Sequence, residues 1–268
     1  MFKEGLLQRV VDAEKFLDRP DVLELAKKNP DIRFALSLRR YRNWWGAGVS
    51  GDDLLRIVRD DAIPLAWVPR VSVVTALAAA KGPASRQQVL IENDSIILED
   101  CRVLLEECTH FDIQDRRDLI AIAVEAYTAG HREAAMTLAV AVGEGLALWA
   151  SEPRVTAYKS EADRDTWEKL KKEAKKYGQA KLGLEKGDGY MFLNVMEKVL
   201  IAPIPHFFTP WTPKSGKPTP ERLSRHVVAH QPTLKHFSRF NCLTSLMLVV
   251  SILKQQHEWA VEVSFDDE

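Results

Sequence analysis

Residues 131–150, HREAAMTLAVAVGEGLALWA, are apolar on almost every side of a helix. A helix without a polar face cannot lie on a surface, so this one must be central in its domain. The run before it, DLIAIAVEAYTAG at 118–130, keeps the helical period, and Gly130 supplies the turn between the two. The pair reads as a helical hairpin around which other helices must pack.

Helical periodicity dominates elsewhere too. Residues 2–18 place Leu6, Leu7, Val10, Val11 and Leu17 at helical spacing, 21–28 reads as a short helix closed by Asn29-Pro30, and 31–41 as another. The glycine-rich WWGAGVSG at 44–51 has neither the preceding strand nor the spacing of a phosphate loop, and reads as a plain loop. GDDLLRIVRDD at 51–61 is a short capped helix, 70–80 an apolar helix stopped by Gly82-Pro83, 84–109 one long amphipathic helix, and 238–257 a strong final helix. Strand-like alternation is weak and confined to stretches such as AVEVSF at 260–265. Six prolines in residues 203–220 predict a rigid, non-helical loop. Its Phe207, Phe208 and Trp211 are expected to pack that loop onto the core, with stacking on bases as the alternative. FDIQDRR at 111–117 looks like a junction. The expected architecture is all-α, with a helical N-terminal domain at 1–111 and a second helical domain at 112–268.

With 37 basic and 38 acidic residues and a net charge of −1, the chain has no global affinity for polyanions, so any basic surface is local. Residues 159–181 carry eight basic and five acidic residues; a solvated helix is the plain reading and a phosphate grip the alternative. Cys101, Cys108 and Cys242 lack a CxxC or a nearby histidine partner and read as buried thiols, in a number that fits a reducing compartment. The N-terminus shows no secretory pattern. The longest apolar stretch near the C-terminus, LMLVVSIL at 246–253, falls short of the about 20 residues a bilayer requires. A cytoplasmic protein without membrane contact is expected.

Against this background RLSRHVVAHQPT at 222–233 stands out, with two arginines and two histidines. Thr219 suits an N-cap, Pro220 a first helical position, Glu221 the positive end of the dipole, and Pro232 a stop. On that helix Arg225, His226 and His230 fall within an arc of about 140°. Arg222 lies one turn earlier, while Val227 and Val228 anchor the helix in the core. Three readings compete. The residues are polar groups of a helix end. Alternatively, His226 and His230 at i,i+4 hold a metal, although the glutamate of HExxH and an obvious third ligand are missing and the arginines repel a cation. Or they serve phosphodiester chemistry: arginine offers a fixed fork of donors to phosphate, and histidine moves the proton of a ribose 2′-hydroxyl or of the leaving oxygen near neutrality. With that hydroxyl as nucleophile no metal or cofactor is required, and only RNA is cut.

Arg225-His226-Val227-Val228-Ala229-His230, followed by a short loop and the apolar FNCLTSLMLVVSILKQ, has the form R-x4-H near the end of a helical chain. It resembles the signature of the HEPN superfamily, over about residues 116–258. The usual asparagine after the arginine is here His226, and the glycine that often follows the last histidine is Gln231. The resemblance implies a four- or five-helix bundle in the C-terminal half. It implies a metal-independent endoribonuclease with Arg225 on the scissile phosphate, His230 as general acid/base and His226 assisting. It further implies a homodimer whose two motifs face each other, RNA as substrate, a bacterial or phage-linked defence, toxin or abortive-infection setting, and an antitoxin or a phage-derived trigger as partner. Arg222 would extend the positive rim, and Glu144, the lone acid within AVGEGLAL of the central helix, would orient Arg225. His206, His236 and His257 have no partner at motif spacing and read as surface or packing histidines. The alternative is a catalytically silent helical module that binds RNA, nucleotide or a partner protein. In a further version residues 1–111 sense an invader's component and restrain or trigger the C-terminal half.

Overall fold

The computed structural model describes residues 41–44, 46–151 and 195–266. The helices expected at 2–18 and 21–28, nearly all of that at 31–41, and the lysine-rich segment 159–181 lie outside the described residues. What is described is all-α: between the α-helices run only 3-10 turns, bends and loops.

Helix α1, Gly51–Asp61, is as the sequence predicts. The Ser50 hydroxyl accepts from the Asp53 amide at 3.1 Å, Asp52 and Asp53 face the positive end of the dipole, and Ala62 closes the helix at φ +58°. Helix α2 spans Val71–Ala79. The single helix expected over 84–109 is instead two, α3 at Pro83–Glu92 and α4 at Asp94–Glu107. The break lies at Asn93, whose side-chain amide donates to the Val89 carbonyl at 2.8 Å. A short polar side chain that bonds its own backbone competes with the helix ladder, and here it wins.

Helices α5, Gln114–Thr128, and α6, Arg132–Ser151, form the hairpin, with Gly130 at φ +89° in the turn. Helix α10, Arg239–Asp266, packs against α6, α4, α5 and α3. Leu243, Met247, Leu248, Val249, Ile252 and Leu253 are buried on different sides of it, so it is a pillar rather than a surface helix. It runs through 260–265, where weak strand-like alternation is overridden: adding a residue to an established helix needs no new nucleus.

The proline-rich segment holds more helix than expected. Helix α7, Val195–Ile201, is followed by a single turn, α8, at Ile204–Phe207, and a 3-10 turn at Pro213–Ser215. Pro205 fits α8 because first-turn N–H groups have no intrahelical acceptor anyway. Phe207 and Phe208 are buried, as the packing reading expects. Helix α9, Arg225–His230, is shorter than predicted: Ser224 stands at the N-cap position, and residues 219–223 are not helical.

Side chains from both sides of residues 111 and 112 meet in one buried cluster, with Leu54, Leu77, Leu90 and Leu104 in the same core as Ile120, Met136, Leu146 and Leu246. All three cysteines are buried free thiols; burial pushes Cys108 up to about 11 and Cys242 up to about 12, which leaves them protonated and inert near neutrality. No helix among the described residues is long and apolar enough to cross a membrane.

Candidate functional site

Helix α9 lies on α6, held down by buried Val227 and Val228. Its first residue, Arg225, donates from Nη1 to Glu144 Oε2 at 3.1 Å. The guanidinium carbon also stands 5.1 Å from the centre of the Phe208 ring, a cation–π distance. Glu144 reaches this place from between two glycines. At Gly143 an added Cβ would lie 2.9 Å from Val249 Cγ1 and 3.4 Å from Phe207 Cζ, so the glycine permits the close approach of α6 to α10 and α8. The Arg225 side chain is 17% exposed and that of Glu144 46%, so the pair sits at the surface with one flank in solvent. Arg225 Nε is buried and has no hydrogen-bond partner among the described residues.

One turn of helix brings the histidines together. The His226 and His230 ring centres are 5.8 Å apart, tilted by 53°. His226 is half-buried and His230 exposed. Burial, followed by the positive Arg225 and by His230, lowers the His226 pKa from its ordinary value, with Glu144 opposing. His226 is therefore a neutral imidazole near pH 7, able to accept a proton. Among the described residues no group of three or more His, Cys, Asp and Glu is placed to hold a metal ion, so His226 and His230 have no third ligand there.

The late start of α9 has a cause in hydrogen bonds. The Ser224 hydroxyl donates to the Thr209 carbonyl at 2.9 Å and so does not cap the helix. The Ser224 amide donates to His236 Nε2 at 3.2 Å, and His236 Nδ1 lies 3.2 Å from the Pro220 carbonyl. A backbone N–H can only donate, so Nε2 carries the lone pair, and the ring proton is on Nδ1 and donates to Pro220. Asn241 ties down the same segment, its Nδ2 donating to the Glu221 and His236 carbonyls at 3.0 and 2.9 Å. His236 is thus buried and joins three segments. Nothing in its spacing signals this, because its partners are backbone groups.

Arg222 does not stand one helical turn before Arg225, because its segment is not helical. Its guanidinium is taken by the Asp60 carbonyl and, at 3.5 Å, by Asp61 Oδ1. Asp61 also accepts from Arg86 Nη1 at 2.7 Å, and its side chain is only 3% exposed. Burial raises the Asp61 pKa against the pull of Arg86 and then Arg222. The charge of Arg222 therefore faces Asp61 and is not part of a rim beside the histidines. His206, half-buried, bonds the Arg59 carbonyl through Nε2 at 2.9 Å, and His257 is buried with Nδ1 unpartnered among the described residues.

A further sequence signal lies around the motif. Residues 203–239 carry six lysines and arginines against one acid, Glu221, in a chain of net charge −1. The local excess is visible only when charges are counted in a window. No protein-family model matches this chain, nor does any curated protein or solved structure, so the arrangement of Arg225, His226, His230 and Glu144 stands on its own chemistry.

Proposed function

We propose that this protein is a metal-independent endoribonuclease of the HEPN type, active as a homodimer in which two Arg225–His230 helices face each other across one cleft. The observation that carries the reading is a guanidinium held by Glu144 and Phe208 beside one neutral, half-buried imidazole and one exposed imidazole. Arg225 would bind the non-bridging oxygens of the scissile phosphate and stabilise the charge that builds there. His230 would act as general acid/base, with His226 making the second proton transfer. In balance, the ribose 2′-oxygen forms a bond to phosphorus and the 5′-oxygen leaves. One imidazole takes the hydroxyl proton, the other supplies the leaving oxygen, and a 2′,3′-cyclic phosphate and a 5′-hydroxyl result. Two motifs per cleft would double a sparse set of groups. Leu234, 80% exposed just after the helix, is an apolar group that a facing protomer would cover. By the same resemblance the setting is bacterial or phage-linked defence, with an antitoxin or invader-derived trigger as partner.

The test is incubation of purified protein with mixed RNA, with and without EDTA, followed by analysis of the product ends. Cleavage that survives the chelator and leaves cyclic phosphates supports the reading, as does an untouched DNA of the same sequence. Cleavage that stops with EDTA, or intact RNA, contradicts it. One observation favours a second reading, a silent RNA- or protein-binding module: Glu144 already balances the charge of Arg225. Intact RNA that binds, and binds less tightly to Arg225→Ala, would select that reading.

A further inference from the structure

The charge excess of residues 203–239 is not uniform in what it can bind. Of its six cations, Arg222 is engaged by Asp61, Arg225 by Glu144 and Arg239 by Asp94. A cation facing a carboxylate adds less to the long-range pull on a polyanion than an unpaired one, even where, as at Arg225, a phosphate can compete at close range. Lys214, Lys217 and Lys235 differ: all three are exposed, and among the described residues none faces a carboxylate.

Their segments are fixed to the motif helix. Thr209 is bonded to Ser224 at the base of the loop that carries Lys214 and Lys217, and His236, next to Lys235, is bonded to Ser224 and Pro220. All three therefore branch from the point where α9 begins. The loop itself is ordered. Trp211 Nε1 donates to the Lys217 carbonyl at 3.1 Å, Ser215 Oγ to the Thr212 carbonyl at 2.6 Å, and the Lys217 amide to Ser215 Oγ at 3.3 Å. Gly216, at φ +65°, takes the left-handed turn that this closure needs. A pre-ordered loop loses little backbone freedom when a ligand docks.

We propose that Lys214, Lys217 and Lys235 form the rim on which the phosphate backbone of single-stranded RNA docks as it passes the Arg225–His230 helix. This rests on the ribonuclease reading for the identity of the polyanion. The lysines carry affinity without base preference, since ammonium groups meet phosphates and not base edges. Glu221, the lone acid of the segment and itself exposed, opposes them.

The test measures fluorescence anisotropy of a short labelled single-stranded RNA bound to His230→Ala protein, which leaves the probe intact, across a salt titration. Joint replacement Lys214→Ala, Lys217→Ala, Lys235→Ala is expected to weaken binding at moderate salt by about ten- to a hundredfold. It should also reduce the slope of log K against log salt by about 2, from about 0.7 per phosphate contact on a single strand. Glu221→Gln is expected to tighten binding, and Lys81→Ala, on an exposed turn of its own, to change nothing. All these side chains are exposed, so the variants should melt with the parent. An unchanged slope in the triple variant overturns the rim. If the triple variant lowers the slope but wild type cuts no RNA, the ribonuclease reading falls and the rim stands. If wild type cuts and the slope does not move, the rim falls and the ribonuclease stands. No binding by the parent overturns the rim whatever the cutting.

Discussion

Arg222 and Arg225 are three residues apart, and each meets a carboxylate, yet the two pairs are different devices. The Asp61 side chain is 3% exposed and shared between Arg86 and Arg222; that of Glu144 is 46% exposed and holds Arg225 alone. The first pair fastens α1, α3 and the segment before the motif. Its carboxylate is out of reach of any ligand, and losing it would leave two guanidinium groups facing each other. The second leaves a guanidinium at the surface beside two imidazoles, where a phosphate can compete with the carboxylate. Exposure of the acid, not the presence of an ion pair, separates the structural arginine from the candidate catalytic one.

The largest effect that would break this comparison is on cleavage. Arg225→Ala and His230→Ala are each expected to lower the single-turnover rate on RNA by about 10²- to 10⁴-fold, the usual contribution of a positioned acid–base group or charge donor. His230→Ala should melt with wild type because His230 is exposed. Next in size is the contrast between the acids. Asp61→Ala should lower unfolding free energy in urea by about 1–3 kcal/mol, since it leaves the half-buried guanidinium groups of Arg86 and Arg222 without their carboxylate. Glu144→Ala should cost less than about 1 kcal/mol, as a half-exposed pair does, while slowing cleavage. Equal destabilisation by the two would erase the distinction.

A pH effect of intermediate size follows from the histidines. His206, His226, His236 and His257 are all held below their ordinary pKa, chiefly by burial. The unfolded chain then binds protons that the folded chain refuses. Stability is fully present above about pH 6.5, the unfolded value, and falls as acid is added towards the lower folded values. Melting temperature followed by circular dichroism should drop on acidification below neutrality, and His236→Phe should flatten part of that drop. The smallest effect concerns assembly. Leu234→Glu should move sedimentation towards monomer and lower cleavage at dilute protein while leaving the melt unchanged; a dimer that survives the charge would place the twofold contact elsewhere.

Much of the fold follows from local signals. The α1 caps, the Gly130 hairpin and the burial of Phe207 and Phe208 follow from residues adjacent in the chain, where propensity, capping and period act together. The elements that differ from expectation depend on partners distant in sequence or on a local competition. Thr219-Pro220-Glu221 has the chemistry of a helix start, but Pro220 and Glu221 give their carbonyls to His236 and Asn241, and the helix begins at Ser224. Asn93 breaks a periodic run by bonding Val89. At the site, the convergence of Arg225, His226 and His230 needs only one turn of helix and is legible from spacing. Glu144 was legible only as the lone acid within AVGEGLAL, and its contact with Arg225 spans 81 positions. The diversion of Arg222 to Asp61 spans 161 and has no local sign at all.

The most direct measurement of the central claim is single-turnover cleavage of one labelled RNA, in the presence of EDTA, by wild type, Arg222→Ala and Arg225→Ala, each with its melting curve. The account predicts that Arg222→Ala melts lower and still cuts at a temperature where it is folded, whereas Arg225→Ala stays folded and does not cut. Cutting by folded Arg225→Ala at the wild-type rate would contradict it.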